Sequence, residues 1–259
     1  MTSPKDAVGR AIDALEALKD TGPIDAALQA LREVENQRKL EAAEKAIAAL
    51  YKGKRMKTRG EHGFIFMVDG SGSMTGGLLR ATLSAVNTFN GAAAPAHAAA
   101  TTFLWNHEKS LTGLGSQQLS SVDIVTAEQN LGGSDLSTGA AMMLDFAKKS
   151  QALGKAMHFV LVSDGDVNDP VKAYPMLEEM LKTCPSASID FVIVKSRKWE
   201  NRETVAGKMA EELSKAFPRQ ASVMTAAFDD GAGEIALAAA QAAVHRLKPL
   251  KKTNARKLK

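Results

Sequence analysis

A run of five apolar residues, Phe64–Val68, ends abruptly at a carboxylate, and two hydroxyls follow at alternate positions as Asp69-x-Ser71-x-Ser73. A continuous apolar run of this length is typical of a strand buried inside a parallel sheet. The loops that follow parallel strands meet at one edge of the sheet, where small oxygen ligands can converge on one hard cation. The segment therefore predicts a core strand that ends at a metal site.

From about residue 62 the chain alternates between strand-like and helix-like patterns. The apolar runs typical of strands are Phe64–Val68, Ala100–Trp105, Val122–Val125, His158–Val162, Ile189–Val194 and Ser222–Phe228. Between them, Ala- and Leu-rich segments with helical spacing occupy residues 76–92, 136–151, 170–182, 201–216 and 232–247. Such alternation with short connections indicates a parallel sheet covered by helices on both faces. We predict an α/β fold with a doubly wound, mostly parallel, six-stranded sheet.

The amino-terminal part of the chain has a helical pattern throughout. Thr21-Gly22-Pro23 interrupts the pattern, and the second half is either one long helix or two helices with a bend near Asn36. We predict a helical hairpin over residues 1–52 as an extension of the fold. A basic linker at 53–61, the α/β domain at 62–247 and a basic tail at 248–259 complete the predicted organisation.

Composition narrows the class of protein. With 259 residues, 45% of them hydrophobic, the chain can bury one sizeable core plus an appendage. It has no apolar run of about 18 residues, so we expect no transmembrane helix and no contact with a membrane. The first residues do not resemble a secretory signal, and Cys184 is the single cysteine. A cytoplasmic location is the simplest interpretation.

The carboxy-terminal end concentrates the positive charge. From residue 246 onward there are seven basic residues and no acidic one: Arg246, Lys248, Lys251, Lys252, Arg256, Lys257 and Lys259. No aromatic side chain lies among these charges, so a solvated end is favoured over a nucleic-acid-binding segment.

Two further segments carry oxygen ligands. His158–Val162 continues into Ser163-Asp164-Gly165-Asp166, and the glycine-rich loop at 131–139 places Ser134 before a helix. If the strands ending at Asp69 and Asp164 are neighbours where the strand order reverses, both carboxylates face one cleft.

This constellation predicts a metal site. Its candidate ligands, mostly hydroxyls with two carboxylates, are Asp69, Ser71, Ser73, Ser134 and Asp164. Mg²⁺ or Mn²⁺ suits such a set, and an Asp or Glu from another protein would supply the missing negative charge.

With these three elements the chain resembles the von Willebrand factor A domains that carry a metal-ion-dependent adhesion site. That signature is Asp-x-Ser-x-Ser after the first strand, a Thr in a glycine-rich loop and an Asp after the fourth strand; here they fall on Asp69–Ser73, Ser134 and Asp164. Ser134 departs from the usual Thr by losing a methyl group. The resemblance covers roughly residues 62–247 and implies a Rossmann-like fold. It also implies serines that contact the metal, and aspartates that act partly through water.

The resemblance implies a metal-dependent protein-binding module and not an enzyme. Intracellular members often work beside MoxR-like AAA+ ATPases or within larger assemblies, so such an ATPase is an expected partner. Two alternatives stay open. One is a Mg²⁺-dependent phosphatase similar to the haloacid dehalogenases, with Asp164 as nucleophile, Asp166 as acid/base, and Lys195 and Asp229-Asp230 in support. The other is a scaffold that acts through its helices and basic tail without a metal.

The remaining polar and aromatic candidates carry less information. The five histidines show no metal-like pairing in the sequence, and His158 is expected to be structural because it lies in a predicted core strand. Trp105 and Trp199 are interpreted either as core residues or as surface anchors for a partner.

Overall fold

The computed structural model describes residues 11–12, 22–52, 62–94, 100–106, 111–115, 119–129, 131–195, 203–228 and 231–247. The strands are β1 (His62–Asp69), β2 (Thr101–Trp105), β3 (Leu111–Gly115), β4 (Ala156–Ser163), β5 (Ala187–Lys195) and β6 (Ala221–Ala227). The helices are α1 (Gly22–Lys52), α2 (Gly77–Ala93), α3 (Ser121–Gln129), α4 (Ser137–Ala152), α5 (Pro170–Thr183), α6 (Val205–Ala216) and α7 (Ala232–Leu247).

The six strands form one sheet in the order β3-β2-β1-β4-β5-β6. All neighbouring strands are parallel except the β2–β3 pair. The predicted doubly wound, mostly parallel, six-stranded sheet is therefore confirmed, and it has the architecture expected of a von Willebrand A-type, Rossmann-like fold. The strand order reverses between β1 and β4, which are hydrogen-bonded neighbours as the sequence reasoning required. Ligand crevices of such sheets open at this position.

Successive residues of each strand face opposite layers of helices, as the period-two geometry of a strand dictates. Phe66 and Val68 of β1 pack with α1, α2 and α7, whereas Ile65 and Met67 pack with α4, α5 and α6. Trp105 is fully buried on the side of the sheet that packs against α4, α5 and α6. It is therefore a core residue and not a surface anchor. Trp199 lies outside the described residues.

The long helix α1 runs without a break past Asn36, so of the two alternatives the single helix is the observed one. It packs against α7 and α2 and buries Ala43 and Ile47 completely, which makes it part of the same body as the sheet. Of the first half of the predicted hairpin, only Ala11 and Ile12 belong to the described residues, and both are helical. The predicted linker at 53–61 and tail at 248–259 lie outside them.

The predicted strand Val122–Val125 is wrong, because these residues lie in helix α3 and the third strand is Leu111–Gly115. The reason is a reciprocal cap at the start of α3. The Asp123 carboxylate accepts bonds from the Ser120 backbone N–H and hydroxyl, both at 2.7 Å, and the Ser120 hydroxyl accepts one from the Asp123 N–H at 3.2 Å. This capping box stabilises a helix start where the apolar residues alone suggested a strand.

Of the helices in the described part of the chain, none combines the length and the apolar character needed to cross a membrane.

Candidate metal centre

Strand β1 delivers Asp69 to the carboxyl edge of the sheet, where its side chain is fully buried. One carboxylate oxygen accepts the backbone N–H of Ser71 at 2.8 Å. The other accepts the Ser163 hydroxyl of β4 at 2.6 Å. One oxygen is thus fixed by a donor from the loop that follows β1 and the other by a donor from β4, so the orientation of the carboxylate is defined.

The pKa of Asp69 is raised to about 7, mainly because the carboxyl is buried. The hydrogen bonds from Ser163 and Ser71 act to lower this pKa, and the nearby charge of Asp164 acts to raise it. An ionised carboxylate is therefore costly here unless positive charge compensates it. The two candidate carboxylates are close enough to repel each other, as expected if they face the same cleft. A bound divalent cation would favour the ionised form of Asp69.

The hydroxyls of Ser71 and Ser73, the next two candidate ligands, lie beside each other. A 3₁₀ turn at Gly72–Met74 places the Ser71 and Ser73 hydroxyl oxygens 2.9 Å apart. Two neighbouring ligands of an octahedral Mg²⁺ with bonds of about 2.1 Å are roughly 3 Å apart, so this spacing matches one edge of the shell. Ser71 is buried and Ser73 is exposed, which leaves one side of the pair open to solvent.

Backbone hydrogen bonds tie the glycine-rich loop to the β1 loop. The Gly132 N–H donates to the Gly70 carbonyl at 2.8 Å, and the Gly72 N–H donates to the Gly132 carbonyl at 2.9 Å. Gly70 is required because an added Cβ would lie 2.7 Å from Cγ of Leu104. The close approach of the two backbones brings the segment before Ser134 alongside Ser71.

Ser134 is buried, and its hydroxyl donates to the backbone carbonyl of Asp166. A hydroxyl that donates its proton keeps its lone pairs, which are the atoms that ligate a metal. The carbonyl of Ser134 also accepts the Asn168 N–H at 2.9 Å. The structure therefore joins the Ser134 loop to the loop that follows β4.

Asp164 is half-buried at the end of β4, where one of its oxygens accepts the Asp166 N–H at 3.2 Å. Gly165 adopts a φ of 98°, and a side chain there would collide with Thr204 at the start of α6. This glycine lets the carboxylate loop turn sharply against α6. Asp166 itself is exposed.

Two positioning residues were missed by the sequence reasoning. Ser163 bonds Asp69, as described above, and also accepts the Gly165 N–H at 2.9 Å. Asp169 accepts the N–H groups of Leu136 and Ser137 at 2.7 and 3.0 Å and so caps helix α4. Nothing in the sequence indicated either role. Asp169 directly precedes α5, so a local reading assigns it to that helix, whereas its side chain caps α4, which begins more than thirty residues earlier.

All five candidate ligands therefore lie in connected loops at the carboxyl edge of the sheet, and their role as ligands stays a prediction. These oxygen atoms suit a hydroxyl-rich coordination shell of Mg²⁺ or Mn²⁺, with Ser71, Ser73 and Ser134 as the hydroxyl ligands. Within the described ranges, no group of three or more His, Cys, Asp and Glu side chains is placed to hold a metal. Of the residues needed by the phosphatase alternative, Asp229 and Asp230 lie outside the described residues.

Comparison with known proteins finds similarity to solved structures. No family model matches the chain. No curated protein matches it either. Among solved structures, the chain is similar to the manganese-loaded TRAP protein of Plasmodium vivax, with 13% sequence identity and a TM-score of 0.39. The match covers 68% of this chain and 72% of that chain.

Proposed function

We propose that this chain is a metal-dependent protein-binding module, in which Mg²⁺ or Mn²⁺ held at Ser71, Ser73 and Ser134 links it to a carboxylate of a partner. The observation that carries the proposal is the pair of hydroxyls 2.9 Å apart beside the fully buried Asp69. The Ser71 N–H and the Ser163 hydroxyl hold this carboxylate in place, so its negative charge lies fixed beside the hydroxyl pair.

Each residue has a distinct part in this proposal. Ser71, Ser73 and Ser134 offer neutral hydroxyl oxygens as ligands. Asp69 and Asp164 supply negative charge and orient water molecules of the shell, while Ser163 keeps Asp69 in place. The cation supplies a positive charge that neutral ligands do not cancel, so an incoming Asp or Glu is attracted to the open side at Ser73.

The identity of the partner is a further part of the proposal. By resemblance to intracellular von Willebrand A-type proteins, a MoxR-like AAA+ ATPase or a larger assembly in the cytoplasm is the first partner to test. The chain itself then acts by binding and not by catalysis.

The test is affinity capture from a lysate of the source cells, with the full chain as bait, in Mg²⁺ and in EDTA. We expect a partner that is retained in Mg²⁺, released by EDTA and lost with the Ser71→Ala/Ser73→Ala double variant. Thr75→Ala is the matched control, because this exposed hydroxyl lies just outside the candidate set. A partner retained equally by the double variant and in EDTA contradicts the proposal and supports the metal-independent scaffold.

A further inference from the structure

Strand β6 lies at one edge of the sheet and pairs on one side only, with β5. In the part of the chain that the structure describes, no strand pairs with its other side. The free side of an edge strand presents unpaired N–H and C=O groups, which bind the backbone of another extended segment. The outer side of β6 is therefore a surface to which a further strand can be added.

Two hydrogen bonds to β5 show which residues of β6 point outward. Just before the strand, the Gln220 carbonyl accepts an N–H of β5 at 2.8 Å, and just after it the Phe228 N–H donates to a carbonyl of β5 at 3.1 Å. Backbone groups that face the same neighbour recur at every second residue, so the even-numbered residues of β6 face β5. The N–H and C=O groups of Val223 and Thr225 therefore point outward, and no described residue bonds to them.

The sequence of β6 has none of the features that usually protect an edge strand. Ala221–Ala227 contains no charged residue, no proline and no glycine, and its register with β5 has no bulge. The opposite edge, β3, is shorter and contains two glycines, and its pairing with β2 changes register between Thr102 and Phe103. Because charges, prolines and bulges are what keep sheet edges from pairing with other chains, β6 is the edge that is open to pairing.

The charges beside this edge fit a second copy of the same chain. A cavity of about 230 Å³ lies next to Val223 and Thr225 on the side of α6, and its charged lining consists of Lys195, Glu203, Lys208 and Glu211. Two charges of each sign give no net attraction for a partner of one sign. An identical surface brings the same balanced set, so opposite charges can face each other, and the uncharged strand adds no repulsion.

Antiparallel pairing of β6 with itself satisfies the outward groups of both copies. With the two-fold axis at Met224, Val223 of one copy lies opposite Thr225 of the other. Both residues point their backbone groups outward, so each such pair exchanges two N–H···O=C bonds. The same axis makes the two Met224 residues a non-hydrogen-bonded pair, in which the Cα atoms of antiparallel strands are about 4.5 Å apart. The strand is therefore complementary to itself, as a two-fold dimer requires.

We propose that β6 is a dimerisation edge, through which two copies of the chain join their sheets in the antiparallel direction about Met224. The inference is independent of the proposed function, because the contact needs no metal. It also has a consequence for that function. Antiparallel pairing turns the carboxyl edges of the two sheets, and with them the two candidate metal centres, in opposite directions, so a dimer can link two partner molecules.

The first experiment is sedimentation equilibrium of the full chain in EDTA over a range of concentrations. We expect a mass that rises from 27.5 kDa toward twice that value. Thr225→Pro removes an outward N–H, which an edge strand tolerates, and Thr225→Lys adds a charge to the edge. Each should weaken dimerisation about tenfold or more, with an unchanged circular dichroism spectrum. Thr225→Val, which keeps the N–H and adds no charge, is the matched control and should dimerise like the unaltered chain.

A cross-linking experiment tests the register. Met224→Cys places two thiols opposite each other at a Cα separation that suits a disulfide, and the native Cys184 is buried. We expect mild oxidation to give a covalent dimer of this variant. Thr225→Cys is the control, because residue 225 is more exposed than residue 224 but does not lie opposite its own copy. It should cross-link less.

Three results would overturn the proposal. One is a chain that stays monomeric at every concentration. Another is a dimer that Thr225→Pro and Thr225→Lys retain with their folds intact, because another surface would then hold it. The third is cross-linking of Thr225→Cys in preference to Met224→Cys. None of these results bears on the Mg²⁺-dependent capture of a partner, so the dimer and the proposed function fail separately.

Discussion

The Ser163 hydroxyl donates a hydrogen bond of 2.6 Å to the buried carboxylate of Asp69, and this bond joins the ends of β4 and β1. These are the two strands between which the strand order reverses. The bond therefore connects the central point of the sheet to the loop that carries Ser71 and Ser73. It also explains how the orientation of the carboxylate is set before any cation arrives.

Replacement of Ser163 with alanine should weaken this end of the sheet. The change removes a donor from a fully buried carboxylate, which costs about 1–3 kcal/mol of the free energy of unfolding. Urea denaturation in EDTA measures the loss, with Ser84→Ala, an exposed serine on α2, as the control. A Ser163→Ala variant as stable as the control would show that the bond does not hold Asp69.

Replacement of Asp169 with alanine should destabilise helix α4, because the carboxylate accepts two N–H groups of its first turn. The expected cost is about 0.5–2 kcal/mol, and Asp169→Asn should lose less because one acceptor oxygen remains. Thermal unfolding followed by circular dichroism measures the difference. Asp145→Ala, which removes an exposed ion pair with Lys149 on the same helix, is the control and should change stability by less than about 1 kcal/mol. Equal losses in Asp169→Ala and Asp145→Ala would contradict the capping role.

Arg246 was counted with the basic tail from the sequence, but its side chain is buried and pairs with the buried Asp190 of β5 at 2.5 Å. Arg246→Met should cost about 3–5 kcal/mol, because it leaves a buried carboxylate without its cation. The Asp190→Leu/Arg246→Met double variant should recover much of that loss. Urea denaturation tests both, with Lys215→Met on the exposed surface of α6 as the control. A single variant as stable as the control would contradict the structural role of the pair.

The contribution of His158 to the stability of the chain should fall as the pH drops below about 6.5. Burial lowers the pKa of His158 to about 3, with the charges of His62 and Arg246 acting in the same direction. Between these two pH values the unfolded chain binds a proton that the folded chain excludes, so acid favours unfolding by up to about 1.4 kcal/mol per pH unit. His158→Gln removes this contribution, so the free energy of unfolding of the unaltered chain should fall relative to that of the variant as the pH drops. The raised pKa of Asp69 acts in the opposite direction and is common to both proteins. Parallel pH profiles of the free energy of unfolding for the unaltered chain and His158→Gln would contradict the lowered pKa of His158.

The sequence predicted the sheet well because its core strands are continuous apolar runs. The predicted run His158–Val162 lies within Ala156–Ser163, and Ile189–Val194 lies within Ala187–Lys195. The prediction failed at Val122–Val125, where a capping box of two polar side chains outweighed the apolar pattern. It also missed the contact of 2.9 Å between the imidazoles of His62 and His158, because parallel pairing joins strands almost a hundred residues apart.

The candidate site was predictable only in part, because some of its residues act on groups that are far away in the sequence. Asp69, Ser71 and Ser73 are recognisable because their spacing is local. Ser163 and Asp169 act on groups that are distant in the sequence, and each also has an ordinary local explanation at the end of a strand or the start of a helix.

The central claim is that the hydroxyl pair holds a divalent cation. The most direct measurement is titration of the metal-free full chain with Mn²⁺, followed by electron paramagnetic resonance, with Mg²⁺ as competitor. We predict one Mn²⁺ site per chain that Mg²⁺ displaces, that Thr75→Ala retains and that Ser71→Ala/Ser73→Ala loses. Undiminished binding of Mn²⁺ by the double variant, with its fold intact, would contradict the account.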